Sequence, residues 1–345
     1  MDAREALSVV VAGKTLTRAE AESTMSSVMV GEALPAQLGA LLAALRVRGE
    51  TVDEITGFAS AMRAAAVKLT LTADAIDIVG TGGSRVDPFN ISTVASVVAA
   101  AAGAKVAKHG NRAASGKCGA ADVLEALGVR IDLGPDGATR CIDEVGVAFL
   151  FAARYHPAMR HAGPVRREIG IRTVFNILGP LANPAGVRRM VLGVATPELG
   201  ETMARVLGEL GADHVLVVHG ADGLDEISPT GRTKVWELRG GTVRESSIDP
   251  AALGLTLASV SDILSGDAAA NAATARSILS GEIGARRNAV LLNTGAALIV
   301  AGLVEGLGEG MTAAARAIDS GAARDTLERF IKTSQRVGAA EAATA

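Results

Sequence analysis

The feature that most constrains the fold of this 345-residue chain is a change of pattern near Ala75. Before it, residues 1–66 have a helical pattern, with apolar positions at helical spacing over 38–45 and a capping box at 51–54. After it, short apolar strands alternate with helices, beginning with a strand at 76–79 and a helix at 92–102. This alternation is typical of βαβ units. The sequence therefore predicts an all-α domain followed by a larger α/β domain with a mainly parallel sheet.

Two details concern the second half of the chain. The pair Gly240-Gly241 separates two short runs within residues 236–243, and this spacing favours a hairpin. The last residues, 337–345, are mostly small, and we expect them to be frayed.

Charge and composition exclude several classes of partner. A net charge of -3 and an aromatic content of only 2% argue against a nucleic-acid-binding surface. The charged N-terminus does not resemble a signal peptide, and the longest apolar stretch, 94–107, is too short to span a bilayer. Cys118 and Cys141 do not form a zinc motif; they are able in principle to bridge, but so few thiols favour a reducing compartment. The sequence predicts a cytoplasmic protein with no nucleic-acid or membrane partner.

A glycine-rich run, Gly80-Thr81-Gly82-Gly83-Ser84, follows the first strand of the α/β part. Glycines allow successive backbone N–H groups to converge on an anion, because no Cβ blocks a positive φ or a close approach. The spacing is neither a dinucleotide-binding fingerprint nor a P-loop. An ordinary tight turn explains the run equally well, so the loop alone does not identify a ligand.

Two further segments favour anions at the same sheet edge. Asn90-Ile91-Ser92-Thr93 opens the next helix, where hydroxyls and the helix N-terminus suit phosphate, although simple capping by Asn90 or Ser92 is the alternative. The basic run at 108–112 follows the next strand, where open α/β sheets bind ligands, although such runs are often solvated turns. Three anion-binding loops at one edge imply a polyphosphate ligand.

Two charged segments suggest further ligands. Residues 154–172 hold several arginines and histidines against the single carboxylate Glu168; the segment is either a solvated helix face or a site where an arginine binds a small carboxylate. Asp225 and Glu226 follow another strand. They are either exposed turn acids or Mg²⁺ ligands that share the ion with substrate phosphates.

Taken together and in this order, the motifs closely resemble those of anthranilate phosphoribosyltransferases. The resemblance covers essentially residues 1–335, and the set is far more specific than any single motif. The matching runs are GTGG (80–83), NIST (90–93), KHGNR (108–112), ADVLEALG (121–128), HPAM (156–159), VRR (165–167), NILGPLANP (176–184) and DGLDE (222–226).

The resemblance implies a nucleoside phosphorylase-like phosphoribosyltransferase fold. A small helical domain, residues 1–70 with a returning segment at about 166–186, packs beside an α/β domain formed by residues 71–165 and 187–345. The breaks at Gly179-Pro180 and Asn183-Pro184 fit crossover or hinge points. The active site lies between the domains, and the helical domains form a homodimer.

The resemblance also implies the reaction, in which phosphoribosyl pyrophosphate and the amine of anthranilate give N-(5-phosphoribosyl)anthranilate and pyrophosphate with the help of Mg²⁺. This is the second step of tryptophan biosynthesis from chorismate. The amine is neutral at pH 7, so no strong general base is required, and the sequence offers no catalytic triad. Catalysis is expected from orientation and from stabilisation of the departing pyrophosphate by Lys108, Asp225 and Glu226.

The implied site residues fall into three groups. The phosphoribosyl pyrophosphate residues are Gly80, Thr81, Gly82, Gly83, Ser84, Asn90, Ser92, Thr93, Lys108 and Cys118. The Mg²⁺ ligands are Ser92, Asp225 and Glu226. The anthranilate residues are Gly80, His109, Asn111, His156, Arg166 and Gly179, with Arg166 the candidate for the anthranilate carboxylate.

Three positions depart from the family pattern. Ser84 stands where the family usually has Asp, and Cys118 and Ala120 stand where it usually has Ser. Replacing Asp by Ser removes a charge near the metal, which bears on metal dependence and pyrophosphate affinity, and a thiol donates a weaker hydrogen bond than a hydroxyl.

Two rival functions follow from the same pattern. A nucleoside phosphorylase shares the fold, but the runs at 108–112 and 176–184 argue against it. A non-catalytic nucleic-acid-binding relative is opposed by the net charge of -3 and by the Asp225-Glu226 pair.

Overall fold

The computed structural model describes residues 1–113 and 116–344 and begins with a helical bundle. Capping boxes at Asp2, Thr17 and Thr51 start three of its helices, and Pro35 lies in the first turn of the other. In this bundle α2 packs on α4 and α1 packs on α3. The helices are α1 (Ala3–Val11), α2 (Arg18–Met29), α3 (Pro35–Arg48) and α4 (Val52–Ala65).

Within the described residues, seven strands form one sheet in the order β3-β2-β1-β4-β5-β6-β7. The pairs among β1 to β5 are parallel, and β6 and β7 are added antiparallel. Gly240 and Gly241, both at positive φ, form the turn between β6 and β7, so the predicted hairpin is confirmed. The strands are β1 (Ile76–Gly80), β2 (Val106–Gly110), β3 (Val147–Phe151), β4 (Arg189–Gly193), β5 (His214–Gly220), β6 (Thr233–Arg239) and β7 (Thr242–Ile248).

Helices cover the sheet and confirm the predicted α/β class. The Ala- and Val-rich α5 packs with α13 against β1, and α11 packs against β5 and β6. The remaining helices of the described chain are α5 (Ile91–Ala101), α6 (Ala120–Leu127), α7 (Pro135–Val145), α8 (Ala152–Tyr155), α9 (Met159–Ile169), α10 (Phe175–Leu178), α11 (Glu198–Glu209), α12 (Ala268–Leu279), α13 (Ala285–Val300), α14 (Leu307–Asp319) and α15 (Ala322–Thr344). None of these, nor any helix of the bundle, is long and apolar enough to cross a membrane.

The chain returns to the helical bundle between β3 and β4. Helix α9 packs on α2 and α3, and the 3-10 turn Pro180–Ala182 packs on α4. At the end of this crossover, Asn183 Nδ2 donates to Asp77 Oδ2 (2.8 Å) and to the carbonyl of Ala107 (2.9 Å), which fixes it to β1 and β2. His161 of α9 lies against Gly31, which follows α2, so contact with the bundle starts before residue 166. We therefore propose that the returning segment of the helical domain starts at 159.

The C-terminal residues differ from the sequence prediction. Residues 337–344 are not frayed but continue α15. The carboxylate of Glu341 accepts hydrogen bonds from the N–H groups of Gly134 (2.9 Å) and Gly137 (2.8 Å), at the start of α7. A glycine at the N-cap offers no side-chain acceptor, so α15 supplies the cap from a distance.

Candidate active site

The site lies where the strand order reverses direction. Strands β1 and β4 are neighbours, and their connections leave toward opposite sides of the sheet, which opens a crevice at the carboxyl ends of the strands. A cleft of about 570 Å³ occupies this position. Its lining includes Gly80, Thr81, Gly82, Gly83, Ser84, Asn90, Ser92, Thr93, Lys108, His109, Asn111, Cys118, Asp225 and Glu226. All the residues predicted for the donor and metal therefore share one cleft, while His156, Arg166 and Gly179 lie outside its lining.

The glycine loop is held against Asp225. Gly82 and Gly83 adopt φ of 66° and 74°, which favours glycine. The N–H of Gly82 donates to Asp225 Oδ2 (2.9 Å), so a protein carboxylate already uses one of the loop amides. The hydroxyl of Thr81 accepts from the N–H of Ala195 (3.1 Å), which ties the loop to the residues that follow β4.

Lys108 connects two elements beneath the cleft. Its side chain is buried, and Nζ donates to the carbonyl of Ile78 (2.6 Å) and to Ser92 Oγ (3.1 Å). Burial lowers the pKa of Lys108, while the charges of Asp77 and Glu226 oppose that shift. The lysine therefore brings a positive charge to the start of α5, where the helix N-terminus already favours anions.

Asp225 and Glu226 form a buried carboxylate pair. Burial raises the pKa of Asp225, and burial together with the neighbouring Asp225 raises the pKa of Glu226 to about 8. Two adjacent buried carboxylates are costly as a dianion, and their hard oxygens suit Mg²⁺. Across residues 1–113 and 116–344, no three His, Cys, Asp or Glu side chains gather to hold a metal ion. The pair therefore fits Mg²⁺ when Ser92 and substrate phosphates supply the other oxygens.

Asn293 supports the site from outside the lining of the cleft, and the sequence analysis missed it. It lies buried on α13, and its amide makes two hydrogen bonds to the backbone of Ile227, accepting from N–H (3.0 Å) and donating to C=O (2.9 Å). This contact fixes the chain directly after Glu226. The only signal in the sequence is an amide side chain inside a long apolar helix, which alone does not reveal its partner.

A second amide, that of Asn271 on α12, orients Asn90. Asn271 Nδ2 donates to Asn90 Oδ1 (2.9 Å), and Asn90 Nδ2 donates to the carbonyl of Cys118 (3.1 Å). Asn90 makes no side-chain capping bond to α5, so simple capping by Asn90 or Ser92 is wrong; instead Glu226 Oε1 accepts from the N–H of Ser92 (3.2 Å). Burial raises the pKa of the Cys118 thiol, and Cys118 and Cys141 are both free in the part of the chain described.

A pair of neutral histidines lies beside the cleft. The ring centroids of His109 and His156 are 5.1 Å apart. Burial lowers the pKa of His109 to about 3 and also lowers the pKa of His156. His109 Nδ1 lies 3.2 Å from the carbonyl of Gly179, which only accepts, so Nδ1 carries the proton and Nε2 is a bare acceptor. The Nε2 atoms of both rings are buried and have no partner among the described residues.

Arg166 lies in the last turn of α9, where its guanidinium stacks over the ring of Phe175 at 5.2 Å from the centroid. Burial lowers the pKa of Arg166. No carboxylate within residues 1–113 or 116–344 pairs with it, so its donors are available to an incoming carboxylate. Asn111 is used differently, because its Oδ1 accepts from the N–H of Arg112 (2.8 Å).

The fold and the cleft define a glycosyl transferase. Residues 4–66 match the family model described as "Glycosyl transferase family, helical bundle domain", and residues 72–324 match "Glycosyl transferase family, a/b domain". The chain is 54% identical over 340 residues to the anthranilate phosphoribosyltransferase of Thermomicrobium roseum, covering 97% of this chain and 98% of the relative. It is 52% identical over 328 residues to that of a Methylobacterium species, covering 95% and 97%. The chain therefore belongs to the anthranilate phosphoribosyltransferase family.

Solved structures agree with this assignment. The anthranilate phosphoribosyltransferase of Thermus thermophilus superposes with a TM-score of 0.91 at 44% identity, covering 96% of this chain and 99% of that one. The enzyme of Saccharomyces cerevisiae, in complex with PRPP (phosphoribosyl pyrophosphate) and Mg, superposes with a TM-score of 0.89 at 27% identity, covering 96% and 97%.

Proposed function

We propose that this chain transfers the phosphoribosyl group of phosphoribosyl pyrophosphate to the amine of anthranilate. The products are N-(5-phosphoribosyl)anthranilate and pyrophosphate, in the second step of tryptophan biosynthesis from chorismate. The observation that carries the proposal is the position of a polyphosphate cleft beside two neutral histidines, one of which, His109, lines the cleft. A site for an anionic donor thus adjoins a site with acceptors for an amine.

On the donor side, the glycine loop, the start of α5 and Lys108 bind the phosphates. We assign this role to Gly80, Thr81, Gly82, Gly83, Ser84, Asn90, Ser92, Thr93, Lys108 and Cys118. Within this set Thr81 acts through its hydroxyl, which accepts from the N–H of Ala195 and keeps its O–H to donate, because its backbone N–H already donates to the carbonyl of Gly193 (2.9 Å). Asp225, Glu226 and Ser92 hold Mg²⁺, which when bound supplies positive charge to the pyrophosphate. Loss of one preorganised group of this kind typically costs about 3 kcal/mol of transition-state stabilisation.

On the acceptor side, anthranilate presents an amine and a carboxylate. The bare Nε2 of His109 accepts a hydrogen bond from the amine and orients its lone pair, and the unpaired guanidinium of Arg166 binds the carboxylate. The rest of the path by which anthranilate approaches is lined by Gly80, Asn111, His156 and Gly179. A nucleoside phosphorylase would bind inorganic phosphate as nucleophile and would not need these acceptor groups.

The test is loss of anthranilate fluorescence on mixing the protein with phosphoribosyl pyrophosphate. We expect rapid loss when both donor and Mg²⁺ are present and little loss when either is omitted. The double variant Asp225→Asn/Glu226→Gln is the matched control and should lose Mg²⁺-dependent turnover. No fluorescence loss by the unsubstituted protein at any Mg²⁺ concentration contradicts the proposal and directs attention to phosphorolysis of nucleosides.

We further propose a homodimer formed through the helical domain. The exposed apolar side chains of this domain include Val11, Val30, Leu34 and Val47, with Val47 89% accessible. Light scattering should give the mass of two chains, and a monomeric mass at micromolar concentration contradicts the proposal. The two free cysteines support a cytoplasmic location for this dimer.

A further inference from the structure

Arg172 reaches the glycine loop from the crossover segment. It follows Gly170, the left-handed residue that ends α9, and it lines the cleft. Its guanidinium lies directly on Gly83, where a Cβ would overlap Nη1. Gly83 therefore serves two purposes, since it allows a positive φ and it allows an arginine from another segment to rest on the loop.

The guanidinium of Arg172 is not neutralised by a direct contact. It makes no hydrogen bond or ion pair with any residue in 1–113 or 116–344. Burial raises the pKa of Asp225, and the positive charge of Arg172 is one of the effects that oppose the rise, so the two groups are near one another without being bonded.

Two other cations of the cleft, Lys108 and Arg112, are committed elsewhere. Lys108 donates to Ile78 and Ser92, and Arg112 pairs with Asp122 and Glu125. Arg85 is unpaired among the described groups, but the methylenes of its side chain pack on Gly223. Arg172 is therefore the cation that enters the cleft from the crossover segment with all its donors available.

The residue at position 84 explains why Arg172 is free. Ser84 follows Gly83, and its hydroxyl donates to the carbonyl of Val86. A carboxylate at this position, as the family usually has, would be one residue along the chain from Gly83, on which the guanidinium rests, and would offer it a charged partner. With serine there, the loop gains no negative charge and the arginine keeps its positive charge for a ligand.

We propose that Arg172 binds the pyrophosphate group of the donor, both before transfer and as the released product. The inference rests on the proposed function, since it names a further residue for the same donor site. A guanidinium offers a planar fork of N–H donors that matches two phosphate oxygens. Segment 159–182 then presents one arginine to each substrate, Arg166 to the anthranilate carboxylate and Arg172 to the pyrophosphate.

The test is calorimetric titration of the full-length protein with inorganic pyrophosphate, with and without Mg²⁺. We expect Arg172→Gln to raise the dissociation constant for pyrophosphate about tenfold, because it removes charged hydrogen bonds. Arg172→Lys should recover only part of the loss, because an ammonium lacks the bidentate fork. Arg167→Gln is the matched control, since it removes the same charge from an exposed position of α9 outside the cleft lining.

A double-mutant cycle tests the role of position 84. Ser84→Asp should weaken pyrophosphate binding and should reduce the effect of Arg172→Gln, because the introduced carboxylate already occupies the guanidinium. The inference is overturned if Arg172→Gln leaves the dissociation constant for pyrophosphate unchanged. It is also overturned if Arg167→Gln raises that constant as much as Arg172→Gln does. Failure of the proposed function is distinguishable, because it appears as absent anthranilate turnover in the unsubstituted protein, whereas this titration reads pyrophosphate binding alone.

Discussion

At the scale of single residues, the site includes buried polar groups that have no hydrogen-bond partner. Folded proteins leave few such groups unpaired, because each costs about 1–3 kcal/mol when desolvated without a hydrogen bond. Other buried groups are paired, as where Arg48 pairs with the buried Glu54 in the helical bundle, while the hydroxyls of Tyr155, Thr173 and Thr294 also have no partner among the described residues. In the site, the Nε2 atoms of His109 and His156 and the hydroxyl of Thr93 have no partner among the described residues. These atoms are the ones that a ligand would satisfy.

Arg166→Ala should raise the KM for anthranilate between about tenfold and a hundredfold, because hydrogen bonds to a charged group contribute about 1.5–3 kcal/mol. The KM for the donor should change little, and kcat should fall less than the KM rises, since the contact already exists in the ground state. Steady-state anthranilate fluorescence measures both constants, with Arg167→Ala as control. A change confined to the donor KM would reverse the assignment.

His109 should stay neutral at pH 5, because burial holds its pKa at about 3. The ¹⁵N chemical shifts of the ring should show the Nδ1–H tautomer from pH 8 to pH 5, whereas the denatured protein should titrate near 6.5. A titration of the folded ring with a midpoint between pH 5 and 7 would refute the assignment of Nε2 as a bare acceptor.

The lowered pKa of His109 also predicts how the free energy of unfolding depends on pH. The folded pKa lies below the unfolded value, so only the unfolded chain binds this proton between about pH 6.5 and 3. The contribution of His109 is therefore present above pH 6.5 and is lost as the pH falls toward 3. Replacement by Asn should make the unfolding free energy less sensitive to acid in this range.

Asn293→Ala should lower the free energy of unfolding by about 1–3 kcal/mol, because the N–H and C=O of Ile227 lose their partners in a buried place. It should also weaken Mg²⁺-dependent pyrophosphate binding, since the chain after Glu226 is released. Urea denaturation and calorimetry measure the two effects, with Asn288→Ala on the same helix as control. A lower free energy of unfolding with unchanged pyrophosphate binding would show that the hydrogen bonds of Asn293 do not support the site.

At the scale of elements, the sheet edge and the helix ends position the site. Strands β1 and β2 both end in glycine, at Gly80 and Gly110, so the chain can leave the sheet tightly and bring its amides to the cleft. Gly193 at the end of β4 has a similar role, because a Cβ there would overlap the carbonyl of Asp225. The positions of these strand ends decide how closely the carboxylates approach the loop.

Helix α15 stabilises α7 through Glu341. Glu341→Gln should reduce the free energy of unfolding by about 1 kcal/mol, which is typical for loss of a helix cap. Amide hydrogen exchange should accelerate at Gly134 and Gly137, whose N–H groups donate hydrogen bonds to the carboxylate of Glu341. Glu328→Gln on the same helix is the control, because it breaks only an exposed pair with Arg276. Equal effects of the two variants would exclude a capping role.

At the scale of the whole molecule, the cleft takes residues from the sheet domain and from the crossover that packs on the helical bundle. Arg172 and Asn176 of the crossover line it together with the loops of the sheet. A ligand bound there contacts groups that are far apart in the chain. Binding to the folded state alone therefore stabilises the entire fold.

Phosphoribosyl pyrophosphate with Mg²⁺ should raise the unfolding midpoint, because a ligand at a hundred times its Kd contributes about 2.7 kcal/mol. Removal of the metal with a chelator should abolish most of the shift, because the pyrophosphate then loses the positive charge of the Mg²⁺ that we assign to Asp225 and Glu226. Differential scanning fluorimetry measures this, with sulfate at equal ionic strength as control. A shift of the same size in the presence of the chelator would exclude a metal-assisted donor site.

The amino-acid sequence alone predicted the order of helical bundle and parallel sheet, and it placed the loops that we propose to bind the ligand after β1 and β2. Periodicity, helix caps and glycines are local signals, so they can be recognised in the sequence without knowledge of the fold. The extent of α15 was missed because small residues carry helix propensity but no apolar pattern, whereas packing on α7, including the contact of Glu341, holds that end in place.

Tertiary structure alone decided which side chains face the cleft. Three contacts join residues that are far apart in the chain: Arg172 with Gly83, Asn271 with Asn90, and Asn293 with Ile227. No local pattern encodes such contacts. Tertiary structure also turned the hydroxyl of Thr81 toward Ala195. The physical reason is that a side chain's partner is set by packing between distant elements, whereas a sequence motif specifies only the residue type that is available there.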